Sequence, residues 1–321
     1  MLKVGVSESV DPELHRLLPA DIALEIIPRN PDRPIDVDFW IAPPFQKQAA
    51  AAWPWLRGVR VVQSVLAGIE GLRTFLPSGV TLCDARGVHT ISTAEWAVAA
   101  ILASCKYFPF YGELRRTASW PHRKEAEDRY RALHATTQHF YPPVLLEELH
   151  SSRVLIIGYG DIGKAIETRL QPFGVTIDRI ARTAREDVAP ISQLHNLLSA
   201  ADIIVLVVPF TSQTAGLIGA PEIALMKQGA LLVNVARGPV VDTGALLAAL
   251  HSDRIRAALD VTDPEPLPDN HPLWTTPNLL LTPHVAGSTP MFMVRAMRFA
   301  AAQIGRTLRG EPLENIVTGE Y

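Results

Sequence analysis

The chain has 321 residues, 48% hydrophobic and 20% charged, enough to bury the cores of roughly two domains of ~150 residues each. Its formal net charge of -3 without any run of Lys and Arg gives no electrostatic footprint for nucleic acid or an anionic membrane, and apolar runs such as IIVLVV at 203–208 are strand-sized rather than membrane-sized. The amino terminus MLKVGVSESVDPEL lacks a basic flank with an apolar core, and Cys83 and Cys105 stand at no metal-like spacing and form no disulfide framework; we expect a cytoplasmic protein with a small-molecule partner, no metal, no nucleic acid and no membrane.

Over residues 1–90, short apolar runs of β type (LKVGV, IALEII, VDFWIA, VRVVQS, VTLCDA) alternate with helix-like stretches at 12–18 and 68–76, which predicts a parallel α/β domain. From Ser92 the segment AEWAVAAILASCKYF has apolar residues at helical spacing, with Ser92 or Thr93 as cap and Glu95 in the first turn, so a long helix is predicted. Residues 117–150 are rich in charge, His and aromatics, carry Pro121, Pro142 and Pro143 and lack a clean period, and are read as a connector. A more regular series follows from Arg153, with strand-like runs RVLIIGY, TIDRIAR, DIIVLVVP, ALLVNVA, RAALDV and LLLTPH. Six such runs are what a complete doubly wound dinucleotide-binding sheet requires. After His284, Ser288 or Thr289 as N-cap and Pro290 at the first helical position predict a last helix running to about Arg309.

The first run of that series leads directly into Gly158, Tyr159, Gly160, Asp161, Ile162 and Gly163 and then the helix-like IGKAIETRLQPF. Between a strand and a helix, the first glycine can make the tight turn and the second lets the backbone approach a pyrophosphate. The third lets helix and strand pack closely, with the helix N-terminus facing the anion. The next strand runs out into Ala181, Arg182, Thr183, Ala184 and Arg185, where an NAD-selective fold carries an Asp or Glu for the ribose hydroxyls. Asp178 falls within the strand, too early for that place. NADP is therefore the expected cofactor, with NAD as the alternative.

Ligands of doubly wound sheets bind beyond the carboxyl ends of the strands, so polar residues just after each apolar run matter most. Arg237 follows ALLVNVA, Asp260 lies near the end of RAALDV with Glu265 shortly after, and His284 ends LLLTPH. Singly, Arg237 reads equally well as a surface or ion-pair arginine, while Glu265 reads more readily as a solvated loop acid and His284 as a structural histidine. Together they suit reduction of an α-keto acid. Arg237 would anchor the carboxylate and polarise the carbonyl. His284 would protonate the alkoxide left by hydride arrival at C2, and Glu265 would orient and stabilise its imidazolium.

These stretches resemble the D-isomer-specific 2-hydroxyacid dehydrogenases over nearly the whole chain, through LIIGYGDIGKAI, LLVNVARGPVVD, ALDVTDPEPLPDNHPLW, LLLTPHVAGST and GEPLENIV. The resemblance implies two Rossmann-like domains with doubly wound parallel sheets. A dinucleotide domain at 93–287 is then inserted into a discontinuous substrate domain, 1–92 plus 288–321. It also implies that the backbone of Leu66, Ala67 and Gly68 receives the substrate carboxylate and that Asp260 contacts the nicotinamide carboxamide. Pro209, Thr214 and Ala236 would line the cofactor. A homodimer joined through the dinucleotide domains is implied too, with the helix after Ser92 and the 117–150 connector as interface candidates. The loop reads AGIE where many relatives have AGxD, so Glu70 departs from the pattern. Glyoxylate or hydroxypyruvate is the expected substrate. Formate oxidation is disfavoured because that branch carries Gln where Glu265 stands, and the alternative from another class is a dinucleotide-sensing, corepressor-like binding protein.

Overall fold

The computed structural model describes residues 1–118, 120–139 and 146–319, apart from the side chain of Thr117. The chain divides into two compact units, Met1–Thr90 with the segment from Ser288 onward, and Ile91–Gly287.

The first unit begins β1 (Leu2–Ser7), α1 (Pro12–His15), β2 (Ile22–Ile27), β3 (Ile35–Asp36), β4 (Phe39–Ala42), α2 (Gln46–Ala52), β5 (Leu56–Arg57), β6 (Val61–Ser64), α3 (Glu70–Arg73) and β7 (Thr81–Cys83). Five strands form a parallel sheet in the order β2-β1-β4-β6-β7, and β3 pairs with β5 apart from it. Every residue of β4 is buried, as a central parallel strand covered on both faces requires. The helices predicted at 12–18 and 68–76 are each a single turn. Helix α2, QKQAAAA, has no apolar period to announce it and rests on the helix propensity of alanine.

Helix α4 (Thr90–Cys105) starts before the predicted caps, so Ser92 and Thr93 are buried within it instead of capping it. Tyr107, at φ 53, breaks the chain between α4 and α5 (Phe108–Thr117). The predicted connector also contains a helix, α6 (Glu125–Leu133), whose Arg131 pairs with Glu127 and Asp128 one turn back. Pro142 and Pro143 lie outside the described residues.

The second unit continues with β8 (Arg153–Ile157), α7 (Asp161–Leu170), β9 (Thr176–Ala181), β10 (Ala189–Pro190), α8 (Leu194–Leu198), β11 (Ile203–Leu206), α9 (Ala220–Leu225), β12 (Ala230–Asn234), α10 (Thr243–His251), β13 (Ile255–Leu259) and β14 (Leu279–Leu281). These strands form a parallel sheet of seven in the order β10-β9-β8-β11-β12-β13-β14. The six expected strands are present, and the seventh, β10, is an edge strand of two residues that ends in proline, which lacks the N–H an interior strand needs. Successive residues of β8 feed opposite faces. Leu155 and Ile157 join one apolar cluster, while Val154 and Ile156 join another with Ala97 and Ile101 of α4.

The chain then returns to the first unit in α11 (Phe292–Arg309), which starts just after the predicted Pro290, with Met291 as N-cap in place of Ser288 or Thr289. Its Ala296, Met297, Ala300 and Ile304 close the core around Val4, Val6, Phe39 and Ile41. Gly310 ends it in the left-handed conformation, at φ 66. Among the described residues no helix is long and apolar enough to cross a membrane.

Candidate active site

In the second unit the strand order reverses at β8, between β9 and β11, and such a switch point opens a crevice at the carboxyl ends. Gly158 leaves β8 at φ 98, and a Cβ there would lie 2.5 Å from the Val207 carbonyl oxygen. A Cβ on Gly163 would lie 2.5 Å from the Gly158 carbonyl oxygen, so the first turn of α7 is pressed onto the loop. Gly160, the N-cap of α7, has nothing within 4 Å of its Cβ position. Asp161 and Ile162 open the helix behind it.

Strand β9 delivers Ala181 beside this turn, followed by the exposed Arg182, Thr183 and Arg185. Asp178 lies inside β9, opposite Leu155, with its carboxylate 2.5 Å from Arg153 Nε. After β11, Thr214 donates its hydroxyl to the Pro209 carbonyl at 2.7 Å and accepts the Thr211 N–H at 2.8 Å, so that hydroxyl is engaged in closing its own turn.

Strand β12 ends in Asn234, 1% exposed. Its Oδ1 accepts the Ala236 N–H and its Nδ2 donates to the Arg237 carbonyl, each at 3.0 Å. This brackets the turn that carries half-buried Arg237, whose Nη1 donates to the Ala236 carbonyl at 2.8 Å. Gly238 must follow, because a Cβ there would lie 1.8 Å from the Thr262 carbonyl oxygen. Asn234 is not among the site residues expected from the sequence. The signal was an asparagine closing an otherwise apolar strand, a buried polar group that needs partners.

Beyond β13, Asp260 is 2% exposed, and its carboxylate accepts the Thr282 hydroxyl at 2.6 Å and the amides of Val285 and Ala286 at 2.8 Å each. Its carbonyl accepts the His284 N–H at 2.7 Å. These bonds wrap the loop of His284, whose φ is 52. The imidazole Nδ1 lies 2.5 Å from Glu265 Oε1. That bond holds the Glu265 carboxyl below its usual range despite partial burial, with a smaller contribution from the Arg237 charge. It also raises His284 above the ordinary histidine value, against burial and the Arg237 charge. Arg237, Glu265 and His284 thus share one electrostatic neighbourhood on the carboxyl edge of the sheet that bears the glycine turn.

The family model described as D-isomer specific 2-hydroxyacid dehydrogenase, NAD binding domain, matches residues 100–286. The chain belongs to the D-isomer-specific 2-hydroxyacid dehydrogenase family. It is 31% identical over 271 residues to a glyoxylate reductase of Aeropyrum pernix, covering 82% of this chain and 77% of that one. With a D-3-phosphoglycerate dehydrogenase of Methanocaldococcus jannaschii it shares 34% identity over 246 residues, 74% of this chain and 43% of that one. Among solved structures, a D-isomer specific 2-hydroxyacid dehydrogenase from Xanthobacter autotrophicus, in complex with NADPH and MES, aligns with a TM-score of 0.75 at 26% identity, over 99% of this chain and 98% of that one.

As a 2-hydroxyacid dehydrogenase the chain has a nicotinamide dinucleotide as its cofactor, and the glycine turn fits that group. A side chain at Gly160 would fill the open face above the first amides of α7, which have no partners within the helix. Residues 66–68 belong to the first unit, just after β6. The Leu66 N–H already donates to Ser64 Oγ at 3.0 Å and the Leu66 carbonyl accepts the Ala85 N–H at 3.0 Å. Among the described residues no group of three or more His, Cys, Asp or Glu could hold a metal ion.

Proposed function

We propose that the protein is an NADP(H)-dependent reductase of small 2-keto acids, glyoxylate or hydroxypyruvate, with Arg237, Glu265 and His284 as its catalytic residues. The observation that carries this is the 2.5 Å bond from Glu265 to His284 Nδ1, with the Arg237 charge felt by both. When bound, the dinucleotide supplies the hydride that adds to C2 of the keto acid. Arg237 grips the substrate carboxylate and polarises the neighbouring carbonyl with its planar guanidinium. With Nδ1 engaged by Glu265, the imidazolium presents its Nε2 proton to the carbonyl oxygen, and the carboxylate keeps that ring charged and oriented until the proton leaves. Asp260, Ala236, Pro209 and Thr214 contribute to the cofactor site, Asp260 also by holding the His284 loop.

The NADP(H) preference rests on the absence of a carboxylate at the end of β9, where Arg182, Thr183 and Arg185 are exposed and Asp178 is engaged by Arg153. The solved relative that holds NADPH supports it. The 1–92 plus 288–321 part is the substrate domain and 93–287 the dinucleotide domain. We place the protein in the cytoplasm, as a homodimer joined through its dinucleotide domains, with exposed Phe108 and Trp120 as contact candidates. None of the relatives above is a corepressor, and the dinucleotide-sensing alternative gains no support.

A panel of 2-keto acids assayed by nicotinamide absorbance with NADPH and with NADH tests the proposal. Turnover of glyoxylate or hydroxypyruvate, with kcat/KM for NADPH at least about tenfold above that for NADH, is expected. Tight dinucleotide binding without turnover of any acid would contradict it.

A further inference from the structure

Tyr159 stands between the first two glycines of the turn, a position the nucleotide-binding pattern leaves open to any residue. Here its side chain is held from several sides. The hydroxyl donates to Glu167 of α7, a carboxylate only 4% exposed. Glu167 also accepts Arg179 Nε at 2.7 Å and Gln171 Nε2 at 3.1 Å. Two guanidinium groups lie over the tyrosine ring, Arg179 at 5.5 Å and Arg185 at 5.9 Å from its centroid.

The two arginines differ in what they have left to offer. The charge of Arg179 is matched by Glu167. Arg185 has no carboxylate partner among the described residues, and one of its nitrogens, Nη2, donates to the backbone carbonyl of Tyr159. Its own backbone is pinned by a tight turn, donating to the Val188 carbonyl at 3.1 Å and accepting the Val188 N–H at 2.9 Å. An unmatched cation is thus docked on the residue next to open Gly160, with the remainder of its fork uncommitted. Arg182, by contrast, makes no side-chain hydrogen bond or ion pair among the described residues.

We propose that Tyr159 is a specificity-determining residue for the dinucleotide: its ring and carbonyl hold Arg185 in place, so that a phosphate on the adenosine ribose meets a guanidinium already positioned. An exposed arginine otherwise loses much of its rotamer freedom when it engages an anion, and docking on the ring removes part of that loss beforehand. The inference rests on the NADP(H) preference proposed above.

Calorimetric titration of the full chain with adenosine 2′,5′-bisphosphate and with adenosine 5′-monophosphate tests it without turnover. The unsubstituted protein binds the bisphosphate at least about tenfold more tightly. Tyr159→Leu lowers that ratio by roughly three- to fivefold and leaves monophosphate binding unchanged, which also reports that the variant is folded. Arg185→Ala lowers it further, and the double variant matches Arg185→Ala, because Tyr159 acts through Arg185. Arg185→Lys, on an exposed side chain, keeps the charge without the planar fork and loses about as much as Tyr159→Leu. Additive losses in the double variant, or a full ratio in Arg185→Lys, would overturn the role of Tyr159. Equal binding of the two nucleotides by the unsubstituted protein would instead sink the cofactor preference itself.

Discussion

His284 holds a left-handed backbone at φ 52, a conformation that costs a non-glycine residue roughly 1–2 kcal/mol. Asp260 supplies what keeps it there, because its buried carboxylate accepts hydrogen bonds from residues on both sides of the histidine. The ring is then free to be governed by Glu265, and the consequence is a pH dependence with a definite sign. Glu265 raises the His284 pKa, so the protonated acid of the proposed reduction is present below that raised value and lost as pH climbs through it. Glu265→Gln removes the charge but keeps an acceptor. We expect the alkaline fall of kcat/KM for keto acid reduction to move to lower pH in that variant. A pH profile superimposable on that of the unsubstituted enzyme would show that the 2.5 Å contact does not tune the acid.

Elements place these residues more than local preference does, and the glycine turn makes the point. Gly158 and Gly163 are required by backbone atoms 2.5 Å from where a Cβ would stand, whereas Gly160 faces open space. Gly160→Ala is therefore expected to melt at the temperature of the unsubstituted protein yet lose at least about tenfold in dinucleotide affinity. Gly163→Ala should be destabilised by about 1–3 kcal/mol. Thermal melts paired with dinucleotide titrations check both; a Gly160→Ala protein that binds normally would remove that residue from the site. The turn was legible from sequence because its demands are steric and local, and the long apolar runs were legible because central parallel strands are buried on both faces. The proximity of Arg237, Glu265 and His284 could be anticipated because each follows the carboxyl end of a strand of one parallel sheet. Strand β10, with two residues, and helix α2, all alanine and polar residues, offer no period to detect. The start of α4 differs from the expected one for a related reason. Residues that can cap a helix are equally able to sit buried inside it, as Ser92 and Thr93 do, and only tertiary packing decides.

At the scale of the whole molecule, one chain builds, besides the short β3–β5 pair, a five-stranded and a seven-stranded parallel sheet of different strand order, and the first unit is complete only when α11 returns to cover Val4, Val6, Phe39 and Ile41. Arg237, Glu265 and His284, the proposed catalytic residues, all come from the second unit. In the proposed mechanism they fix two substituents of C2 together, the carboxylate at Arg237 and the carbonyl oxygen at His284 Nε2. With both fixed and hydride arriving only from the side on which the dinucleotide would bind, a single face of the carbon is presented, so the product should be a single enantiomer. The measurement that tests this most directly is the stereochemistry of reduction. Hydroxypyruvate is converted with excess NADPH and the glycerate is resolved by chiral chromatography. D-glycerate as the sole product is the expected result for a D-isomer-specific family member with this site. L-glycerate, a racemate or no glycerate at all would contradict it.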